Sequence, residues 1–172
     1  MSLWHSERSR DGGVDEVALP DGPGRLWLCG KHAVAPDPEA LLARLGATTV
    51  VALNEIHELD DRYPGYVRWL RSSDQAVWHP VPDLHAPTLS ETLSLVDDLR
   101  RRIQHGDHIV LHCGAGIGRA GTIAAALLIR GGLGHDEALA LVASSRPMAG
   151  PEAGAQRDLL VALSQVDAAP TG

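Results

Sequence analysis

Hydrophobic and polar positions along this chain switch between period-two runs and three-to-four spacing, and the switches mark its elements. Val14 to Leu19 and Arg25 to Leu28 read as two short strands around Pro20-Asp21-Gly22-Pro23-Gly24, a proline- and glycine-rich turn, so the pair is expected to form a hairpin. Asp37 before Pro38 and Glu39 has the form of an N-cap with proline at N1, opening a helix through Leu41, Leu42 and Leu45 that Gly46 closes. The apolar run Thr48 to Leu53 reads as a buried strand. Asn54 to Ser73 is polar with scattered apolar residues, and Tyr63-Pro64-Gly65 divides it into a loop and a short helix carrying Tyr66, Val67 and Leu70. Ala76-Val77-Trp78 predicts a third core strand, which runs into a loop stiffened by three prolines in the eight residues 80–87. Thr88 and Glu91 have capping-box spacing ahead of Leu93, Val96, Leu99 and Ile103, which predicts a helix to about Gln104 that Gly106 ends. Ile109 to Leu111 forms one more apolar run. Helices are expected from about Arg119 to Arg130, from His135 to Ser144, and from about Pro151 to Val166.

Strands alternating with helices through the middle of the chain imply an α/β fold: a central, mostly parallel sheet flanked by helices on both faces. At 172 residues with 44% hydrophobic content, the chain suits one domain, expected over residues 14–167, between a polar arm at 1–13 and a frayed tail at 168–172. The formal charge of −7 argues against nucleic acid or an anionic membrane as partner, since both ask for a basic face. Arg100-Arg101-Arg102 reads as the basic end of a helix. Two cysteines in unlike contexts make no disulfide framework, and no run approaches the roughly 18 apolar residues of a membrane span. A cytoplasmic location is the expectation. Only Lys31 among the 15 lysine and arginine residues is lysine, and phenylalanine is absent, a bias that points to a GC-rich bacterial genome.

The chemistry is concentrated after Leu111. Five residues separate Cys113 from Arg119, namely Gly114, Ala115, Gly116, Ile117 and Gly118, and three of them are glycine. Such a backbone can curl until several N–H groups face one centre beside a helix N-terminus, which makes an anion cradle. A cysteine at its mouth meets the positive helix end and a guanidinium, which favour thiolate over thiol. Arg119 offers a planar fork able to hold two oxygens at once. A buried cysteine before an ordinary turn would not require His, Cys and Arg in this order and spacing.

His112-Cys113-x5-Arg119, with its internal Ala-Gly-Ile-Gly-Arg, resembles the phosphate-binding loop of the protein tyrosine and dual-specificity phosphatases. The order of elements is similar to that family over roughly residues 25 to 165. Leu26-Trp27-Leu28-Cys29-Gly30 and His57-Glu58-Leu59 resemble stretches of the kinase-associated and other small dual-specificity phosphatases. The resemblance implies hydrolysis of phosphotyrosine, with phosphoserine and phosphothreonine as further substrates, on a phosphoprotein and without metal or cofactor. Cys113 would attack phosphorus, Arg119 and the loop amides would hold the oxygens, and an aspartate on a separate loop would protonate the leaving oxygen.

Asp83 is the expected acid: it lies thirty positions before Cys113, just after a predicted core strand, where a parallel sheet gathers its functional loops. Asp60 and Asp61 are the alternatives, and an aspartate after proline is also a common turn residue. In the family the histidine at position 112 hydrogen-bonds backbone near the nucleophile and helps keep it ionised; a buried histidine satisfied by backbone accounts for it too. Gln156 matches a family glutamine that positions the hydrolytic water, against the plainer reading of a solvated helix glutamine. Position 120 departs from the pattern: most of the family has Ser or Thr there, whose hydroxyl steadies the departing thiolate, and this chain has Ala120. The phosphatases of regenerating liver share that feature and are slow, so slow breakdown of a phosphocysteine is expected unless Thr122 supplies a hydroxyl. Cys29 is either a redox partner of Cys113 or a core thiol. His79, Asp83 and His85 suggest a metal site only until the intervening prolines are considered. The uncharged side chains at 114, 115 and 117 point away from phosphoinositides, whose relatives carry lysine there. The competing functions are a phospho-ligand-binding module with little turnover and a rhodanese-type sulfurtransferase, whose loop has one residue fewer.

Overall fold

The computed structural model describes residues 13–166, so the expected arm, Gly13 apart, and the expected tail lie outside the described residues. Strand β1 (Val14–Val17) pairs antiparallel with β2 (Leu26–Gly30), Val17 opposite Leu26, which is the expected hairpin. The other strands, β3 (Thr49–Ala52), β4 (Ala76–Trp78) and β5 (Ile109–Cys113), run parallel to β2 in the order β1-β2-β5-β3-β4. The last strand is therefore the middle one. Its carboxyl end, where Cys113 stands, is flanked by the ends of β2 and β3.

Alternation along the strands sorts side chains between two cores. Leu26, Leu28, Val51, Ile109, Leu111 and Cys113 face one cluster; Trp27, Cys29, Val50, Ala52 and Val110 face the other. The second cluster is covered by α1 (Lys31–Val34), α2 (Pro38–Leu45) and α3 (Pro64–Ser72) through Val34, Leu41, Leu42, Tyr66, Val67 and Leu70. The first is covered by α4 (Leu89–Gln104), α5 (Gly118–Arg130), α6 (His135–Ser145) and α7 (Gly154–Ser164). Both faces are thus helical, as a parallel sheet requires.

The expected caps form. Asp37 accepts the Ala40 amide at 3.0 Å, Gly46 closes α2 at φ 64°, and Thr88 and Glu91 bond each other's backbone at the start of α4. Helix α5 is buried from Gly118 to Ile129, because α4, α6 and α7 pack around it and leave it no wet side. Its small residues make that possible: a Cβ on Gly121 would stand 2.2 Å from the Gly150 nitrogen.

Three departures from the sequence reading have local causes. The single turn α1 carries no side-chain cap and is too short to show a period. The expected loop after Asn54 contains one 3-10 turn, Ile56–Glu58, closed by the Glu58 carboxylate on the Glu55 amide at 2.7 Å. Helix α7 starts at Gly154 rather than near Pro151, since the Gln156 carboxamide takes the Glu152 and Ala153 amides and sets the first turn there. Among the described residues no helix is long and apolar enough to cross a membrane.

Candidate active site

The segment from Cys113 to Arg119 turns sharply between β5 and α5, and its carbonyls are all bound on the outside. Gly114 O accepts the Lys31 amide at 3.0 Å, Ile117 O accepts the Gly121 and Gly150 amides at 3.0 Å, and Gly118 O accepts the Thr122 hydroxyl at 2.6 Å. Arg146, 2% exposed, takes the remaining two: its Nη2 donates to Ala115 O and its Nε to Gly116 O, both at 2.9 Å. Arg146 is in turn held by Asp15 at 2.7 Å. With the carbonyls turned out, the amides of Gly114 to Ile117 donate to no protein group among the described residues. They join the free N–H groups of the first turn of α5 in facing the concave side, the arrangement that binds an anion. Gly116 sits at φ 73°, and a Cβ there would lie 2.4 Å from the Cys29 carbonyl, so the loop closes only with glycine at that position.

Arg119 is 5% exposed and fixed on three sides. Its Nη1 and Nη2 meet the two Glu58 carboxylate oxygens at 2.8 and 2.7 Å, and Nη1 also donates to Val81 O at 2.9 Å. Glu58 is held by the Asn54 side-chain amide at 3.0 Å and by the Glu55 backbone amide. Burial alone would raise the Glu58 pKa, but the hydrogen bonds from Arg119, Glu55 and Asn54, with the guanidinium charge, outweigh it and bring the carboxyl down to about 2. The fork is pinned before any ligand arrives.

Asp83 reaches this cluster from the loop after β4. Its Oδ1 lies 3.5 Å from Arg119 Nη2 and accepts the Leu84 amide at 3.0 Å, and the side chain is 72% exposed. Asp60 and Asp61 stand exposed beyond the 3-10 turn, outside ion-pair reach of Arg119.

Behind the cysteine, His112 is fully buried. Its Nε2 meets the Tyr66 hydroxyl at 2.5 Å and its Nδ1 the Cys113 carbonyl at 3.3 Å. Burial is the main force lowering the His112 pKa to about 4, and burial likewise pushes the Tyr66 phenol well above its usual value. A neutral imidazole beside a protonated phenol has one consistent arrangement: Tyr66 donates to Nε2, and Nδ1–H donates to Cys113 O. Cys29 is wholly buried, and desolvation raises its thiol to about 12; it faces the core cluster opposite to that of Cys113.

Two expected supporting residues are engaged elsewhere. The Thr122 hydroxyl hydrogen goes to the Gly118 carbonyl, the usual back-bond of a helical threonine. Gln156 is 1% exposed rather than solvated, and its amide is bound to backbone at both ends, to Glu152 and Ala153 through Oε1 and to His85 O through Nε2. The group from this segment that packs against the start of α5 is the Glu152 carboxylate: a Cβ on Gly118 would fall 2.9 Å from it. Sequence reading gave no role in the site to Glu58, Arg146, Tyr66 or Glu152. Only Glu58 carried a local signal, the Glu55-x-x-Glu58 spacing of a capping pair.

A mostly parallel five-stranded sheet with this loop at the carboxyl end of its middle strand has the architecture of the dual-specificity phosphatases. The chain belongs to the family described as the Swiss Army Knife protein DSP-PTPase phosphatase domain, whose model matches residues 22–164. It is a phosphatase of the protein phosphatase class. Among solved structures, it is similar to Tk-PTP in the active form, at 26% identity and TM-score 0.69 over 88% of this chain and 97% of that one. Kinase associated phosphatase, solved with serine in place of its catalytic cysteine, shares the fold at 18% identity and TM-score 0.69, covering 86% of this chain and 91% of its own. Human DUSP28 does so at 23% identity and TM-score 0.62, covering 81% and 88%. Comparison with the curated proteins finds no match.

Proposed function

We propose that the protein removes the phosphoryl group of phosphotyrosine from a phosphoprotein, in the cytoplasm, through a covalent phosphocysteine on Cys113. The observation that carries this reading is the outward binding of all the loop carbonyls, which leaves a ring of amides closed by the Arg119 fork. Phosphoryl transfer needs positioning and stabilisation of charge on three equatorial oxygens, and those donors supply both. The Cys113 thiolate attacks phosphorus in line, the bond to the tyrosyl oxygen breaks, and Asp83 gives that oxygen its proton. In the second half, Asp83 takes a proton from water as the water oxygen attacks phosphorus and the sulfur leaves as thiolate. His112 stays neutral and holds the Cys113 backbone. The uncharged loop side chains favour a protein substrate over a polyphosphorylated lipid.

The second half is the slow one. Ala120 has no hydroxyl to steady the departing sulfur, and the Thr122 hydroxyl hydrogen is already committed. Mixing enzyme with a phosphotyrosyl peptide should give a burst of one phenol per site, and acid quenching should trap a phosphoryl group on the Cys113 peptide that is absent from Cys113→Ser. Ala120→Ser should raise the steady-state rate about ten- to a hundredfold, the worth of one hydrogen bond to a charged group, about 1.5–3 kcal/mol. A chain that binds the peptide and never acquires the phosphoryl group would instead be a phosphopeptide-binding module, the reading that Ala120 otherwise favours.

A further inference from the structure

We propose that Gln156 is a positioning residue for the Asp83 carboxyl: from the first turn of α7 it holds the loop that carries the acid. This rests on the phosphatase reading above and adds to it a residue that touches no substrate atom.

The loop between β4 and α4 leaves the sheet by two bonds, His79 N to Ala52 O and Val81 N to Leu53 O, each 2.9 Å. It then turns on itself, the His85 amide reaching Pro82 O at 3.0 Å. Leu84, inside that turn, has φ 62°, a left-handed backbone that costs a branched L-residue about 1–2 kcal/mol. The residue is 52% exposed, so burial recovers little of that cost. The flanking prolines restrict the backbone but have no N–H to anchor it. Such a turn persists where its surroundings over-determine it, and two contacts do so on either side of Asp83. Arg119 grips Val81 O at 2.9 Å, and Gln156 Nε2 donates to His85 O at 3.2 Å.

The orientation of the Gln156 amide follows from its other end. Oε1 faces two backbone N–H groups, those of Glu152 at 2.7 Å and Ala153 at 3.4 Å, so it must be the acceptor, and the NH2 group is the one aimed at His85. His85 closes the link, its Nδ1 lying 2.8 Å from Asp83 O. One anchor of the acid loop is therefore the phosphate-gripping arginine. The other is a buried carboxamide outside the cradle.

The test compares two esters on the same enzyme. The ratio kcat/KM stops at the first irreversible step, phosphorylation of cysteine, and a ratio between substrates is indifferent to the fraction of enzyme folded. Phenyl phosphate releases a poor leaving group that needs the Asp83 proton; 2,4-dinitrophenyl phosphate releases one that does not. Gln156→Met should lower kcat/KM for phenyl phosphate about tenfold more than for the dinitrophenyl ester, a part of the roughly 10²–10⁴ that general acid catalysis supplies. Gln156→Glu keeps the acceptor for the Glu152 and Ala153 amides, but its carboxylate has no hydrogen for His85, so near neutral pH it should shift the ratio equally. In an Asp83→Asn background neither variant should shift it further. Equal loss on both esters, a shift with Met but not with Glu, or an effect that adds to Asp83→Asn would each overturn the proposal. If Asp83→Asn itself leaves the ratio at the wild-type value, the acid assignment has failed, and this inference falls with it.

Discussion

Glu58→Gln is expected to lower kcat/KM about a hundredfold, the loss that a misplacement near 1 Å can produce in a positioned group, and to destabilise the fold as well. Glutamine preserves the shape but turns an NH2 toward a guanidinium that has only donors, so Arg119 is left buried with one of its two carboxylate contacts reversed. Breaking a buried pair from one side costs about 3–5 kcal/mol. The wild-type pair also predicts a pH dependence. The folded pKa of Glu58, about 2, lies below the ordinary 4.5, so its contribution is complete above pH 4.5 and disappears as pH falls toward 2. Thermal denaturation of both proteins from pH 7 to pH 2 checks this: the gap in melting temperature should be widest near neutrality and narrow below pH 4.5. A constant gap would show that the carboxylate charge is not what holds the arginine.

Gly116→Ala should reduce phosphate release below detection and lower the melting temperature by several degrees. Two separate costs meet there. Backbone at φ 73° is unfavourable to alanine by about 1 kcal/mol. The new methyl would also stand 2.4 Å from the Cys29 carbonyl carbon and oxygen, with strand backbone on that side that cannot yield. The loop must therefore move, and the Ala115 and Gly116 carbonyls come off Arg146. Vanadate or phosphate binding followed by calorimetry separates the two effects, since the variant should lose anion affinity even at temperatures where it is folded.

What was legible in the sequence was local. Asp37 ahead of Pro38, Thr88 ahead of Glu91, and the glycines between Cys113 and Arg119 each announce their structure within a few positions, because caps and tight loops are built by neighbours. The partners that fix the cradle and the Asp83 loop are not neighbours. Glu58 is 61 residues from Arg119, Arg146 is 30 from Gly116, and Gln156 is 71 from His85. Nothing in periodicity or composition pairs residues over such distances; only the packing of helices and loops on the sheet brings them together. The reading of Gln156 as solvated missed for the same reason: the carbonyl that occupies it, His85 O, arrives from the loop that carries Asp83. Thr122 follows a simpler rule, a helical threonine bonding the carbonyl four residues back, and that rule was available in the sequence but unused.

The Arg146 clamp ties the site to the order in which the chain is made. A ribosome that has released residues 1–130 has delivered all five strands, the cysteine and the arginine fork, yet the Ala115 and Gly116 carbonyls still lack the guanidinium that turns them away. The Cys113 thiol is thus translated well before the loop around it can close, and a nascent chain cut short anywhere ahead of Arg146 carries that thiol beside a loop whose Ala115 and Gly116 carbonyls are unbound.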